Sequence, residues 1–198
     1  MAYQEISALK QVFISKTRVK LLQVFLSNPG RIFYVRELVR AIGEQINAVR
    51  AELSRMEKAG MLFSESRANR KFYGFRKDYI FNDELLRLVA KTTSLGGNII
   101  HEKGKLGKVK LSMLAASFMK RRPVGPTDVD LLIVGEIVLP QLASLVKEAE
   151  NDVGREINYT VMTEEEFNFR KRRRDPFVTS ILEKPRVMLI GDEDELIR

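Results

Sequence analysis

A chain of 198 residues at 44% hydrophobic content is long enough for one large or two small domains, each with a buried core. No apolar run approaches the roughly 20 residues needed to cross a bilayer, and Met1 to Lys10 lacks a secretion-type apolar stretch, so a soluble, cytoplasmic chain with no membrane partner is expected. The absence of cysteine excludes disulfides and thiolate metal sites, the single histidine, His101, excludes a histidine cluster, and the whole formal charge of +8 falls on residues 1–92, which carry 17 Lys+Arg against 9 Asp+Glu, while residues 93–198 carry 17 of each.

In chain order, Ile6, Leu9, Val12 and Phe13 recur at helical spacing. After Ser15, a helix N-cap type, Val19, Leu21, Leu22, Val24, Phe25 and Leu26 supply a broader apolar face that Asn28-Pro29-Gly30 ends. A short extended piece, Arg31 to Tyr34, leads into a helix with Val35, Leu38, Val39 and Ile42 on one face, and Gly43 breaks it. The next helix, about Gln45 to Ala59, buries Ile46, Val49, Leu53 and Met56 at steps of three and four before Gly60 stops it. Met61 to Phe63 and Lys71 to Phe75 read as a β-hairpin around the polar tip Glu65 to Arg70. Asn82-Asp83-Glu84 then opens a helix with Leu85, Leu86, Leu88 and Val89 inside, and Thr92 to Gly97, with no periodic apolar face, reads as the linker.

The second half alternates strands and helices. Val109–Ala116, Val129–Val134, Ile157–Met162 and Val187–Ile190 are of strand length, and Leu139–Ala149 is helical.

A block of positive charge confined to one half is the footprint of a polyanion binder, because neutralising phosphates releases condensed counterions. Between Ile46 and Lys77, the second of two helices joined by a Gly-containing turn together with the hairpin that follows it, there are 8 basic and 3 acidic residues. Gln45, Asn47 and Arg50 sit near the start of the second helix on its outer face, where amide and guanidinium groups suit adenine and guanine edges. Arg55 and Lys58 further along, with Arg67, Arg70 and Lys71 at the hairpin, suit phosphates. Ala48 and Ala51 offer little polar readout, so affinity is better provided for than specificity.

Lys16 to Phe75 resembles the winged-helix domains of ArsR/MarR-like bacterial and archaeal regulators. The text that carries the resemblance is Val35-Arg36-Glu37-Leu38 and Leu53-Ser54-Arg55-Met56-Glu57-Lys58-Ala59-Gly60. It implies a transcriptional regulator on double-stranded DNA, acting as a homodimer on pseudo-palindromic sites.

Asp128 and Asp130 stand two apart before an apolar strand, so both carboxylates face one side, where a divalent metal and a triphosphate could be held. The same pairing is common in turns. From about Lys108 to Gly191 the chain resembles small DNA polymerase β-like nucleotidyltransferase domains, on Ser117 and Asp128-Val129-Asp130 with the downstream text from Gly154 to Phe167 and from Asp175 to Gly191. The resemblance implies nucleotide binding at Ser117, with Mg²⁺ and ATP as cofactors if the site functions. Two positions depart from it. Ala116 stands where a glycine would admit phosphate, and Asn158 where a third carboxylate would lie, with Glu156 as a substitute.

The expected architecture is therefore α+β: an N-terminal winged helix-turn-helix domain, residues 1–92, followed by a small mixed α/β nucleotidyltransferase-like domain, residues 93–198. A DNA-binding regulator whose second domain serves sensing, dimerisation or protein-partner binding is the leading functional expectation. Its rivals are an active Mg-dependent enzyme passing a nucleoside monophosphate from ATP to a protein or small molecule, and a partner-binding module of a toxin–antitoxin-like pair. The basic run Arg170 to Arg174, beside Glu164 to Glu166, reads as a solvated loop or helix face.

Overall fold

A computed structural model describes residues 13–122, 125 and 128–197 of a mixed α+β chain. It divides into two compact units, Met1–Thr92 and Thr93–Arg198. Among the described residues no helix is long and apolar enough to cross a membrane. The expected periodicity from Ile6 to Val12 lies outside the described residues.

In the first unit, α1 (Lys16–Leu26) starts at Ser15, whose hydroxyl accepts from Arg18 N at 3.2 Å and so satisfies one of the helix's free amides. Strand β1 (Ile32–Tyr34) leads directly into α2 (Val35–Ile42), which ends at Gly43 in the left-handed region, φ +62°, a conformation that glycine adopts without steric cost. Past that turn, α3 (Ile46–Lys58) begins. The buried side chains of α1, α2 and α3 meet β1 and the following hairpin in one core that includes Leu21, Phe25, Leu38, Leu53 and Met56.

The hairpin is longer than its composition suggests. Strand β2 (Leu62–Arg67) pairs antiparallel with β3 (Arg70–Phe75), and only Ala68 and Asn69 form the turn, at φ 43° and 60°. Two successive positive φ values are what a tight two-residue hairpin turn requires, so the polar tip continues the ladder instead of looping out. Strand β1 pairs with the other edge of β3, giving the order β1-β3-β2.

Helix α4 (Asn82–Ala90) closes this core with Leu85, Leu86 and Val89. Leu88 differs from expectation and is exposed, because the three buried residues share an arc and Leu88 lies on its flank. Asn82 is the first helical residue, not the cap, and its side chain bonds Asp83.

In the second unit, the expected linker is instead α5 (Ser94–His101), with Leu95 and Ile99 fully buried. Its fully buried large hydrophobes stand four apart with the buried Gly96 and Gly97 between them, so the helix shows no broad apolar stripe. Strand β4 (Gly107–Ala115) is followed by the short helix α6 (Ala116–Met119), then by β5 (Leu131–Ile137) and α7 (Leu139–Val153). Next come β6 (Tyr159–Met162), α8 (Glu164–Arg172), α9 (Pro176–Leu182), β7 (Arg186–Ile190) and the short α10 (Glu193–Ile197). The four strands form one sheet in the order β6-β5-β4-β7. Strand β4 is antiparallel to both β5 and β7, while β5 and β6 are parallel and joined through α7.

Helices cover both faces of this sheet. Leu131 and Ile133 of β5 pack with α5 and α7, and Leu132 and Val134 pack with α8 and α9. Burial on both faces is why β5 reads as an unbroken apolar run.

Candidate nucleic-acid interface

Helix α3 buries Val49, Leu53 and Met56 and turns its other side to solvent. At 3.6 residues per turn, Asn47, Ala51 and Lys58 fall in one exposed row, with Ala48 and Arg55 on one flank and Arg50 on the other. Gln45, at the N-cap, is exposed and makes no side-chain capping bond. Arg50 and Lys58 form no ion pair with any described residue.

The other predicted cations are engaged within the unit. Arg55 Nη1 reaches Glu52 Oε2 at 3.1 Å, Arg67 Nη2 reaches Glu65 Oε1 at 2.6 Å, and Lys71 Nζ reaches Glu57 Oε2 at 2.9 Å. The Arg70 guanidinium lies 5.3 Å from the Tyr34 ring centroid, and Tyr34 Oη accepts from Arg40 at 2.7 Å. The contacts of Arg67 and Lys71 are solvent-exposed and of the weak surface kind, whereas Arg55 reaches the buried carboxylate of Glu52.

What holds α3 in place was not legible as function in the sequence. Glu52 is buried at 2% exposure on the core side of α3, where it accepts from Arg18 Nε at 2.5 Å and from Ser15 Oγ at 3.2 Å, both from the start of α1. Burial works to raise its pKa, but the hydrogen bond and charge of Arg18, with help from Arg55 and Ser15, outweigh it and hold the carboxyl below its ordinary value. Lys20, also buried, donates to the carbonyl of Ile42 at 2.8 Å and to Glu44 at 2.6 Å, tying α1 to the turn between α2 and α3. A charge placed among apolar positions of an amphipathic helix is the signal that would have marked Glu52 and Lys20.

Glu57 joins α3 to the hairpin. Besides Lys71 it takes the Ser64 hydroxyl, and the Lys71 hydrogen bond foremost keeps its carboxyl below its ordinary pKa. Glu57 thus ties the helix to both strands of the hairpin.

In the second unit the predicted acidic pair lies at the entry to β5. Asp130 is buried and takes both prongs of one guanidinium, Arg155 Nη2 to Oδ1 and Nη1 to Oδ2, each at 2.8 Å. Asn158, just ahead of β6, donates its backbone N–H to Asp130 Oδ2 at 3.1 Å, and its carbonyl accepts from Asp130 N at 2.7 Å. Arg155 Nη1 also donates to Glu156 O at 2.7 Å, and its guanidinium lies 5.4 Å from the Phe118 ring centroid. The hydrogen bond to Asp130 raises the Arg155 pKa. Asp128 accepts from Lys184 Nζ and from Gly125 N, and the Lys184 bond lowers its pKa.

These residues do not fit Mg²⁺. Its octahedral shell needs oxygens with free lone pairs and negative charge, and both carboxylates here already face a cation of the chain. Among the described residues no group of three or more His, Asp or Glu is placed to hold a metal. Ser117 is half-buried in the single turn of α6, Ala116 N donates to Pro185 O at 2.8 Å, and Glu156 is exposed in the segment before β6. Within the basic run, Arg170 pairs with Glu166 at 2.8 Å and Arg173 stacks on Phe169, both inside α8 and its end. No protein-family model matches the chain, and neither a curated protein nor a solved structure matches it.

Proposed function

We propose that this protein is a double-stranded-DNA-binding transcriptional regulator, with residues 1–92 as a winged helix-turn-helix and residues 93–198 as a catalytically silent nucleotidyltransferase-like domain used for sensing, dimerisation or partner binding. The observation that carries it is the outer face of α3, where Asn47 and the ion-pair-free Arg50 and Lys58 stand exposed on the unit that holds all the chain's excess positive charge. An α-helix of this width fits the major groove, and the hairpin with Arg67 and Arg70 lies on an element braced to α3 through Glu57, suited to the flanking backbone. Against the enzymatic alternative stands the pairing of Asp130 with Arg155 and of Asp128 with Lys184.

The reading is tested on duplexes selected from a random pool by the full chain. Replacing Arg50, Lys58 and Arg70 together by Ala should lower affinity for a selected duplex about a hundredfold, roughly 1 kcal/mol at each cation. Undiminished binding by the triple variant overturns the proposed docking face. Footprints spaced by one helical turn and a two-chain mass in solution are the expected signs of a homodimer.

A further inference from the structure

Arg155 is held on three sides, by the Asp130 carboxylate at β5, by the Glu156 carbonyl, and by the Phe118 ring of α6. Its fork lies against both oxygens of a residue that is itself only 1% exposed. A planar guanidinium matches a carboxylate with two parallel bonds and carries its charge at every accessible pH. A divalent ion at Asp130 would have to displace those two bonds and then sit beside the expelled guanidinium, so the two occupants exclude one another. Two residues away, Lys184 sets a second cation on Asp128 through a single contact, this pair being partly exposed. The chain thus sets two unit charges of its own against two carboxylates, the charge that one divalent ion would supply.

We propose that Arg155 and Lys184 are resident cations standing where a divalent metal would bind the Asp128–Asp130 pair, so that this corner of the second unit is a metal-independent ion-pair lock over a latent cation site. The proposal rests on the nucleotidyltransferase-like reading of residues 93–198 for what the cations displace. Its test is blind to DNA binding, and duplex binding by the wild type decides the regulator reading whichever way the metal result falls.

The experiment uses the full chain and Mn²⁺ as the probe, with melting temperature followed by circular dichroism and binding by calorimetry. The wild type should show no saturable Mn²⁺ binding and no change in melting temperature at millimolar Mn²⁺. Arg155→Gln with Lys184→Gln should melt lower, regain several degrees in Mn²⁺, and lose that gain when Asp130→Asn is added. If the double variant is unfolded without metal, refolding in Mn²⁺ supports the proposal. No Mn²⁺-dependent gain in the double variant, folded or not, overturns it. Saturable Mn²⁺ binding by the wild type that Asp130→Asn abolishes overturns it as well.

Discussion

Glu52 occupies a turn of α3 where helical spacing asks for an apolar side chain, between Val49 and Met56. Its carboxylate is kept charged by Arg18, Arg55 and Ser15, and that pairing is a link between pH and fold. Because its folded-state pKa lies below the ordinary 4.5, the stabilisation is complete above that value and is lost as pH falls through the lower, folded one. Glu52→Gln should therefore melt lower at neutral pH by an amount equal to about 1–3 kcal/mol, while its stability declines less steeply than that of the wild type below pH 4.5, as a denaturation series would show. If Glu52→Gln proved as acid-sensitive as the wild type, the acid lability would belong to other carboxylates. Residue by residue, the sequence made the outward face of α3 readable, since exposed polar positions follow from periodicity alone. The inward charges are harder to read: periodicity marks Glu52 as a charge at an apolar position, but the Arg18 and Ser15 that satisfy it come from 34 and 37 positions away.

At the scale of elements, α3 and the hairpin share an apolar core, and one carboxylate adds a polar tie at its edge. Glu57 takes both Ser64 of β2 and Lys71 of β3, so the hairpin cannot swing without breaking a hydrogen bond at each strand. Glu57→Gln should leave the fold intact, with a stability change within about 1 kcal/mol since the pair is exposed. It should also release Lys71 and raise hydrogen-exchange rates in the amides near the Ala68–Asn69 turn; unchanged protection there would show that strand pairing alone fixes the hairpin. The elements themselves were legible where their pattern is local, as in α1 with its Ser15 cap or α2 with its Gly43 stop. Helix α5 was missed because its burial comes from partners in α7 and the sheet, and β2 was cut short because polar residues in an exposed ladder resemble a loop.

For the whole molecule, the segregation of charge makes a quantitative expectation about salt. If only the first unit meets DNA, three phosphates neutralised by Lys58, Arg67 and Arg70 give a slope of log affinity against log salt near −2.7 per protomer, about −0.9 for each. Residues 1–92 alone should show the same slope per protomer as the full chain in a salt titration. A steeper slope for the full chain would place phosphates against the second unit. The two-part organisation was legible from where the basic residues lie, whereas the closure of Asp128 and Asp130 by Lys184 and Arg155 was not, since neither cation is near its partner in the chain.

Neither sheet borrows a strand from the other half: β1, β2 and β3 all precede Thr92, and β4 to β7 all follow it. Synthesis from the N-terminus therefore delivers every strand of the first sheet before any strand of the second leaves the ribosome. A nascent or prematurely terminated chain ending after α4 already contains the complete α3 face and its hairpin. If the first unit binds DNA as proposed and the second serves sensing and not dimerisation, nonsense mutations in the second half of the gene should yield products that still occupy DNA while lacking the response, a genetic behaviour distinct from simple loss.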